Sequence, residues 1–131
     1  MNILIDTHIA LWSLYDSDRL SQKSISLLKN CTNTIYFSLV TAWEIQIKNS
    51  IGKLPMSAEE FIRDCENMGF LSLPVRKEHI IELQNIPYLD NNHKDPFDRM
   101  LISQAMFERM SFLTEDKKIH QYHYHFILPV I

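Results

Sequence analysis

Short apolar runs alternate with helix-length segments along this chain, and few folds accommodate that alternation. Ile3-Leu4-Ile5 is wholly apolar and ends at Asp6, the pattern of a strand buried on both faces. Thr34 to Phe37, Phe70 to Leu73, Ser111 to Leu113 and Tyr124 to Leu128 read as four more strands. Helical segments fall between them. Thr7 to Tyr15 carries Ile9, Leu11 and Trp12. Ser21 caps a segment with Ile25, Leu27 and Leu28. Val40, Trp43, Ile47 and Ile51 recur at helical spacing up to Gly52. Ser57 with Glu60 is a capping-box pattern leading through Phe61, Ile62 and Cys65 to Gly69, and Lys77 to Asn85 is helical. After a polar loop from Ile86 to Lys94, Asp95 and Pro96 open a helix with Phe97, Leu101 and Ala105 spaced by four. Strands separated by helices imply a parallel sheet covered on both faces, an α/β domain of three layers.

At 131 residues the chain has the size of one domain, 1–131, and can bury about two-thirds of its unfolded surface. With 46% apolar and 22% charged residues it is globular rather than disordered. No apolar run reaches ~20 residues, so no membrane helix is expected. The N-terminus lacks a basic stretch and a cleavage site, and Cys31 and Cys65 read as reduced thiols of a cytoplasmic protein. The net charge of −3 argues against a broad basic nucleic-acid surface. If four carboxylates are gathered around metal, however, the remaining surface is close to neutral.

Chemistry in an open parallel sheet sits just beyond the carboxyl ends of the strands. Asp6 follows the first strand and Asp116 the fourth. Glu44 lies early in the helix after the second, and Asp98 in the first turn of the helix before the fourth. Four carboxylates brought together resist joint ionisation unless a cation shares them, and oxygen ligands suit Mg²⁺ or Mn²⁺. Two such ions can activate a water and stabilise the leaving oxygen of a phosphodiester. Each residue also has an ordinary local explanation. Asp6 and Asp95 can cap helices, Glu44 can pair with Lys48 four residues on, Asp98 suits a helix dipole, and Asp116 suits a turn.

Ile5-Asp6-Thr7-His8, Trp43-Glu44-Ile45, His93-Lys94-Asp95-Pro96-Phe97-Asp98-Arg99 and Leu113-Thr114-Glu115-Asp116 follow one another in the order of the PIN-domain motifs. The chain resembles that family from Ile3 to about residue 129, and within it the VapC-type ribonuclease toxins of bacterial toxin–antitoxin pairs. Ser38 to Ile45 with Gly52-Lys53-Leu54 extends the likeness around the second motif. The resemblance implies a PIN-like α/β/α fold with a five-stranded parallel sheet of order 3-2-1-4-5. It implies divalent metal, Mg²⁺ or Mn²⁺, and cleavage of single-stranded RNA. Its catalytic and metal-binding residues would be Asp6, Glu44, Asp98 and Asp116, with Asp95 a further candidate acting through water and Thr114 a hydroxyl near the metal. It also implies a homodimer and a small VapB-like antitoxin that covers the active site.

Other residues carry alternatives. Arg99, beside Asp98, could neutralise a phosphate or pair with a carboxylate. His8 and His93 adjoin the acidic residues in sequence and suit either contact with RNA or plain exposure. Trp12 and Trp43 suit core or partner-interface positions better than base stacking. His120, His123 and His125 lack the spacing of a zinc site. Rival functions are a phosphotransfer domain on a similar sheet and a non-catalytic PIN-like module binding RNA or a protein. The phosphotransfer reading is weakened because one acidic residue follows the first strand and position 8 is His.

Overall fold

In a computed structural model that describes residues 1–89 and 95–131, strand β1 (Asn2–Ile5) is the centre of the molecule. It pairs in parallel with β2 (Thr34–Ser38) on one side and β4 (Ser111–Leu113) on the other, and β3 (Leu71–Leu73) adds outside β2. The order is β3-β2-β1-β4. Ile5 lies opposite both Phe37 and Leu113, so Asp6, Ser38 and Thr114 leave the three strands side by side at one edge. That register assembles the site.

Helices α1 (Thr7–Tyr15), α2 (Gln22–Lys29), α3 (Leu39–Ser50) and α4 (Ala58–Asn67) follow the first two strands. Helices α5 (Lys77–Glu82), α6 (Pro96–Glu108) and α7 (Lys117–His120) complete the set. Ile3 and Ile5 pack into one apolar cluster with Ile9, Phe37, Phe61 and Cys65, whereas Leu4 packs into a second with Leu101, Ile102, Ala105 and Phe112. This alternation along one strand is what a sheet sandwiched between helical layers requires. The sequence-derived caps hold: Ser21, Ser57 and Asp95 each accept backbone N–H bonds from the first turns of their helices. Cys31 is exposed, Cys65 is buried, and both are unpaired.

The expected fifth strand is corrected. Tyr124 to Leu128 contributes a single parallel bridge, Phe112 to Ile127, on the outer side of β4. Phe112 donates to the Phe126 carbonyl at 2.8 Å and Leu128 donates to the Phe112 carbonyl at 2.9 Å. The rest of the segment curls: His123 has φ +56° and the Ile127 N–H turns back on the Tyr124 carbonyl. The rings of Tyr122, Tyr124 and Phe126 stack in series along it. The position is therefore occupied, but the ladder is one rung long. Among the described residues, no helix is long and apolar enough to cross a membrane. Residues 90–94, and with them His93 and most of the expected polar loop, lie outside the described residues.

Candidate active site

Asp6 is the pivot. Its position after β1 makes it the N-cap of α1, where Oδ1 accepts the Ile9 N–H at 2.8 Å. Its other oxygen accepts the hydroxyl of Thr114, at the end of β4, at 2.5 Å. The carboxylate is nearly sealed from water, with 3% of the residue exposed. Burial pushes its pKa up from 3.8 to about 6. The bonds from Thr114 and Ile9 and the nearby His8 pull it down, and the Asp98 charge pushes it up. Asp98, in the first turn of α6, thus lies within electrostatic reach of Asp6.

Thr114 also accepts the Asp116 N–H at 3.0 Å, which ties Asp116 to the same corner. Asp116 in turn caps α7 by accepting the Lys118 N–H at 2.9 Å. Glu44, 8% exposed, reaches the corner through Thr7, whose hydroxyl donates to Oε1 at 2.8 Å. Its second oxygen accepts the Lys48 ammonium at 2.9 Å, the ordinary pairing across one helical turn. Asp95 is exposed and its Oδ1 is occupied by the Phe97 and Asp98 N–H groups. Hydrogen bonds through Thr114 and Thr7 thus hold Asp6, Asp116 and Glu44 about the strand ends and Asp98 acts on Asp6 by its charge, whereas Asp95 serves as a cap.

Arg99 is turned elsewhere: among the described residues its guanidinium meets backbone carbonyls and aromatic rings rather than a carboxylate. Its guanidinium is buried, donates to the Ile86 and Pro87 carbonyls at 2.8 and 3.1 Å, and lies 3.3 Å from the Tyr122 hydroxyl. It stacks over Tyr88 at 3.8 Å. Residue 99 follows residue 98 by 100° of helix, so one faces the strand edge and the other the loop. Trp43 is 63% exposed, against Phe97 edge to face.

The sequence reading passed over Thr7, although it stands in the Asp-Thr-His motif. A hydroxyl immediately after a strand-ending carboxylate was the available signal. It also passed over Glu115, whose carboxylate accepts from the Ser21 N–H and the Ser24 hydroxyl and so ties the end of β4 to α2. His120 donates to the Thr114 carbonyl at 2.8 Å, a structural task. Asp6, His8, Trp12, Glu115 and Asp116 line a shallow depression of about 220 Å³.

A PIN domain model matches residues 3–123. The chain belongs to the PIN domain family. PIN domains are in general nucleases that use divalent metal ions. No curated protein matches the sequence. Among the matching solved structures is the crystal structure of VapBC2 from Rickettsia felis bound to a DNA fragment from their promoter. It is 16% identical, with a TM-score of 0.64 over 93% of each chain, a likeness of fold.

Oxygen donors around a buried carboxylate fit a hard divalent cation. Among the described residues, no three of His, Cys, Asp and Glu stand close enough to share one ion. The donors are of the right kind but not drawn into one coordination sphere.

The raised pKa has a consequence for stability. The folded Asp6 binds its proton more tightly than the unfolded chain does, so its contribution to metal-free stability falls as pH rises from about 4 to about 6, then levels. A shift of about two units corresponds to ~3 kcal/mol. Asp6→Asn keeps the cap to Ile9 but weakens the Thr114 bond, so a net gain of ~1–2 kcal/mol is expected at pH 7.5 without metal. Urea unfolding at pH 4 and pH 7.5 checks this, and identical pH dependence in both proteins would contradict it.

Proposed function

We propose that the chain, as one domain over 1–131, is a VapC-type endoribonuclease, the toxin of a toxin–antitoxin pair acting in the cytoplasm. It hydrolyses phosphodiester bonds in single-stranded RNA with Mg²⁺ or Mn²⁺. The observation that carries this reading is Asp6, a water-excluded carboxylate with the Asp98 charge acting on it. Such a group is relieved by a cation rather than by water.

Asp6, Asp98 and Asp116 would hold the ion, with Glu44 joining by exchanging its Lys48 contact. When bound, the ion supplies Lewis acidity and lowers the pKa of a coordinated water. The chain's own groups supply orientation. Thr114 and the Ile9 N–H fix the plane of the Asp6 carboxylate, and Thr7 fixes Glu44. Holding first-layer groups by a second layer of hydrogen bonds is what preorganises such sites. Asp95 acts on this account as the cap that aims Asp98.

Protein partners enter on separate grounds. The likeness to VapBC2 favours a small antitoxin of VapB type covering the site. A homodimer is favoured by an apolar groove of about 730 Å³ between α3, α5 and the start of α6, lined by Val40, Trp43, Ile80 and Phe97 among others. Exposed Ile47 on α3, Ile51 at its C-cap and Ile81 on α5 add further uncovered apolar side chains on these elements. Wild-type protein is expected to run at twice 15.5 kDa in light scattering, and Trp43→Lys at the monomer mass. A monomeric wild type would overturn the dimer.

A second reading, a non-catalytic module binding RNA or protein, is favoured by the Lys48 ammonium that neutralises Glu44. Induction of wild type and Asp98→Asn in a bacterial host separates the two. The nuclease reading expects growth arrest with new RNA ends in wild type alone. Equal arrest by both proteins without new ends supports the binding module.

A further inference from the structure

Trp12 stands one helical turn beyond His8 on α1, with the ring centroids 5.6 Å apart and inclined by 48°. Part of its indole packs on the core and part lines the depression that also contains Asp6 and Asp116. The exposed guanidinium of Arg19 lies 5.9 Å from the same ring centroid, with its Nε 3.5 Å from the exposed Asp16 carboxylate. Carboxylates, imidazole and indole thus share the depression, and a guanidinium stands beside the indole. A depression of about 220 Å³ has the volume of about seven waters, room for one planar base rather than for a folded segment.

We infer that His8 and Trp12 form a stacking ledge for one unpaired base next to the scissile phosphate, and that Arg19 meets a backbone phosphate beyond it. This rests on the nuclease reading of the same site and gives it a substrate contact. Every base has a π-face, so the ledge selects for unstacked strands rather than for a sequence, and it favours purines through their larger ring. A paired base keeps its faces covered by its neighbours, so duplex RNA gains nothing from the ledge. The acidic surface beside it, including Glu115, disfavours a bare polyanion, so recognition at this point comes from the base.

The test uses intrinsic fluorescence. Because Trp12 and Trp43 are the two tryptophans, a Trp43→Phe protein reports on Trp12 alone. Octamers of adenylate and uridylate and inorganic polyphosphate serve as probes, with Ca²⁺ present. The adenylate octamer is expected to quench Trp12 saturably, more tightly than uridylate, and polyphosphate is expected to leave it unchanged. Trp12→Leu should weaken binding of a labelled adenylate octamer ~10-fold in anisotropy, whereas Trp12→Phe keeps most of it. Arg19→Ala, an exposed substitution that leaves the core intact, should lower the salt dependence of binding by about 0.7 in the log–log slope.

Unchanged binding in Trp12→Leu and Arg19→Ala, with Asp6→Asn inactive, would overturn the ledge and leave the nuclease reading standing. Saturable Trp12 quenching in a protein that never cleaves RNA would do the reverse. Quenching by polyphosphate equal to that by RNA would overturn base stacking as the cause.

Discussion

Purified Asp6→Asn protein is expected to cleave single-stranded RNA at least ~1,000-fold more slowly than wild type at pH 7.5 with Mg²⁺. The size follows from the several kcal/mol that a bound divalent ion contributes to charge stabilisation in phosphodiester hydrolysis. On the proposed function Asp6 is the buried charge that draws the ion, so Asp6→Asn removes that charge while the Ile9 cap survives. Asp98→Asn is expected to lose roughly 100-fold, since its charge acts on Asp6 from the first turn of α6. Misfolding is separable from chemistry here, because Asp6→Asn is expected to be no less stable than wild type without metal. Multiple-turnover cleavage of an end-labelled RNA provides the measurement. Cleavage within tenfold of wild type would remove Asp6 from the chemistry.

Arg99→Met is expected to be the most destabilising of the substitutions considered, by ~3–5 kcal/mol. The guanidinium satisfies the Ile86 and Pro87 carbonyls in a buried position, and methionine fills the volume while leaving those acceptors bare. Each unsatisfied buried acceptor costs ~1–3 kcal/mol, and the stacking on Tyr88 is lost as well. For a chain of this size a loss of that order lowers Tm by about 10 °C or more. Arg99→Lys should recover little, because one ammonium cannot serve two carbonyls in fork geometry. Thermal unfolding followed by circular dichroism checks this, and a shift under 2 °C would show that the loop does not depend on Arg99.

The arginine shows where sequence legibility ends. Asp95, Pro96 and Asp98 announce themselves as cap, first turn and acidic N3 residue because those roles are local. The direction of the next side chain depends on the packing of α6 against the loop at Ile86 and Pro87, and nothing in residues 95–99 records that packing. The same division separates the strands. Ile3-Leu4-Ile5 is legible because burial on both faces demands a continuous apolar run. Tyr124 to Leu128 has strand-like composition, yet the left-handed His123 and the turn closed by Ile127 leave it one rung of ladder.

The sequence places Asp6 and Asp116 just beyond strand ends, where the structure has them after β1 and β4, and helical spacing found the Glu44–Lys48 pair. The long-range hydrogen bonds around them were illegible. Thr7 reaches Glu44 across 37 positions and Thr114 reaches Asp6 across 108, both products of the β2-β1-β4 register. Trp12 read as an apolar helix position, and part of its indole does pack on the core. Its other part faces the acidic depression, and no spacing in α1 distinguishes one from the other.

The most direct test of the account is Mn²⁺ binding to the RNA-free protein, followed by the loss of the free-ion signal in electron paramagnetic resonance. Saturable binding is expected in wild type, weakened at least ~10-fold by Asp6→Asn and by Asp98→Asn. Equal saturable binding in all three proteins, or none in wild type at millimolar Mn²⁺, would contradict a metal held at the end of β1.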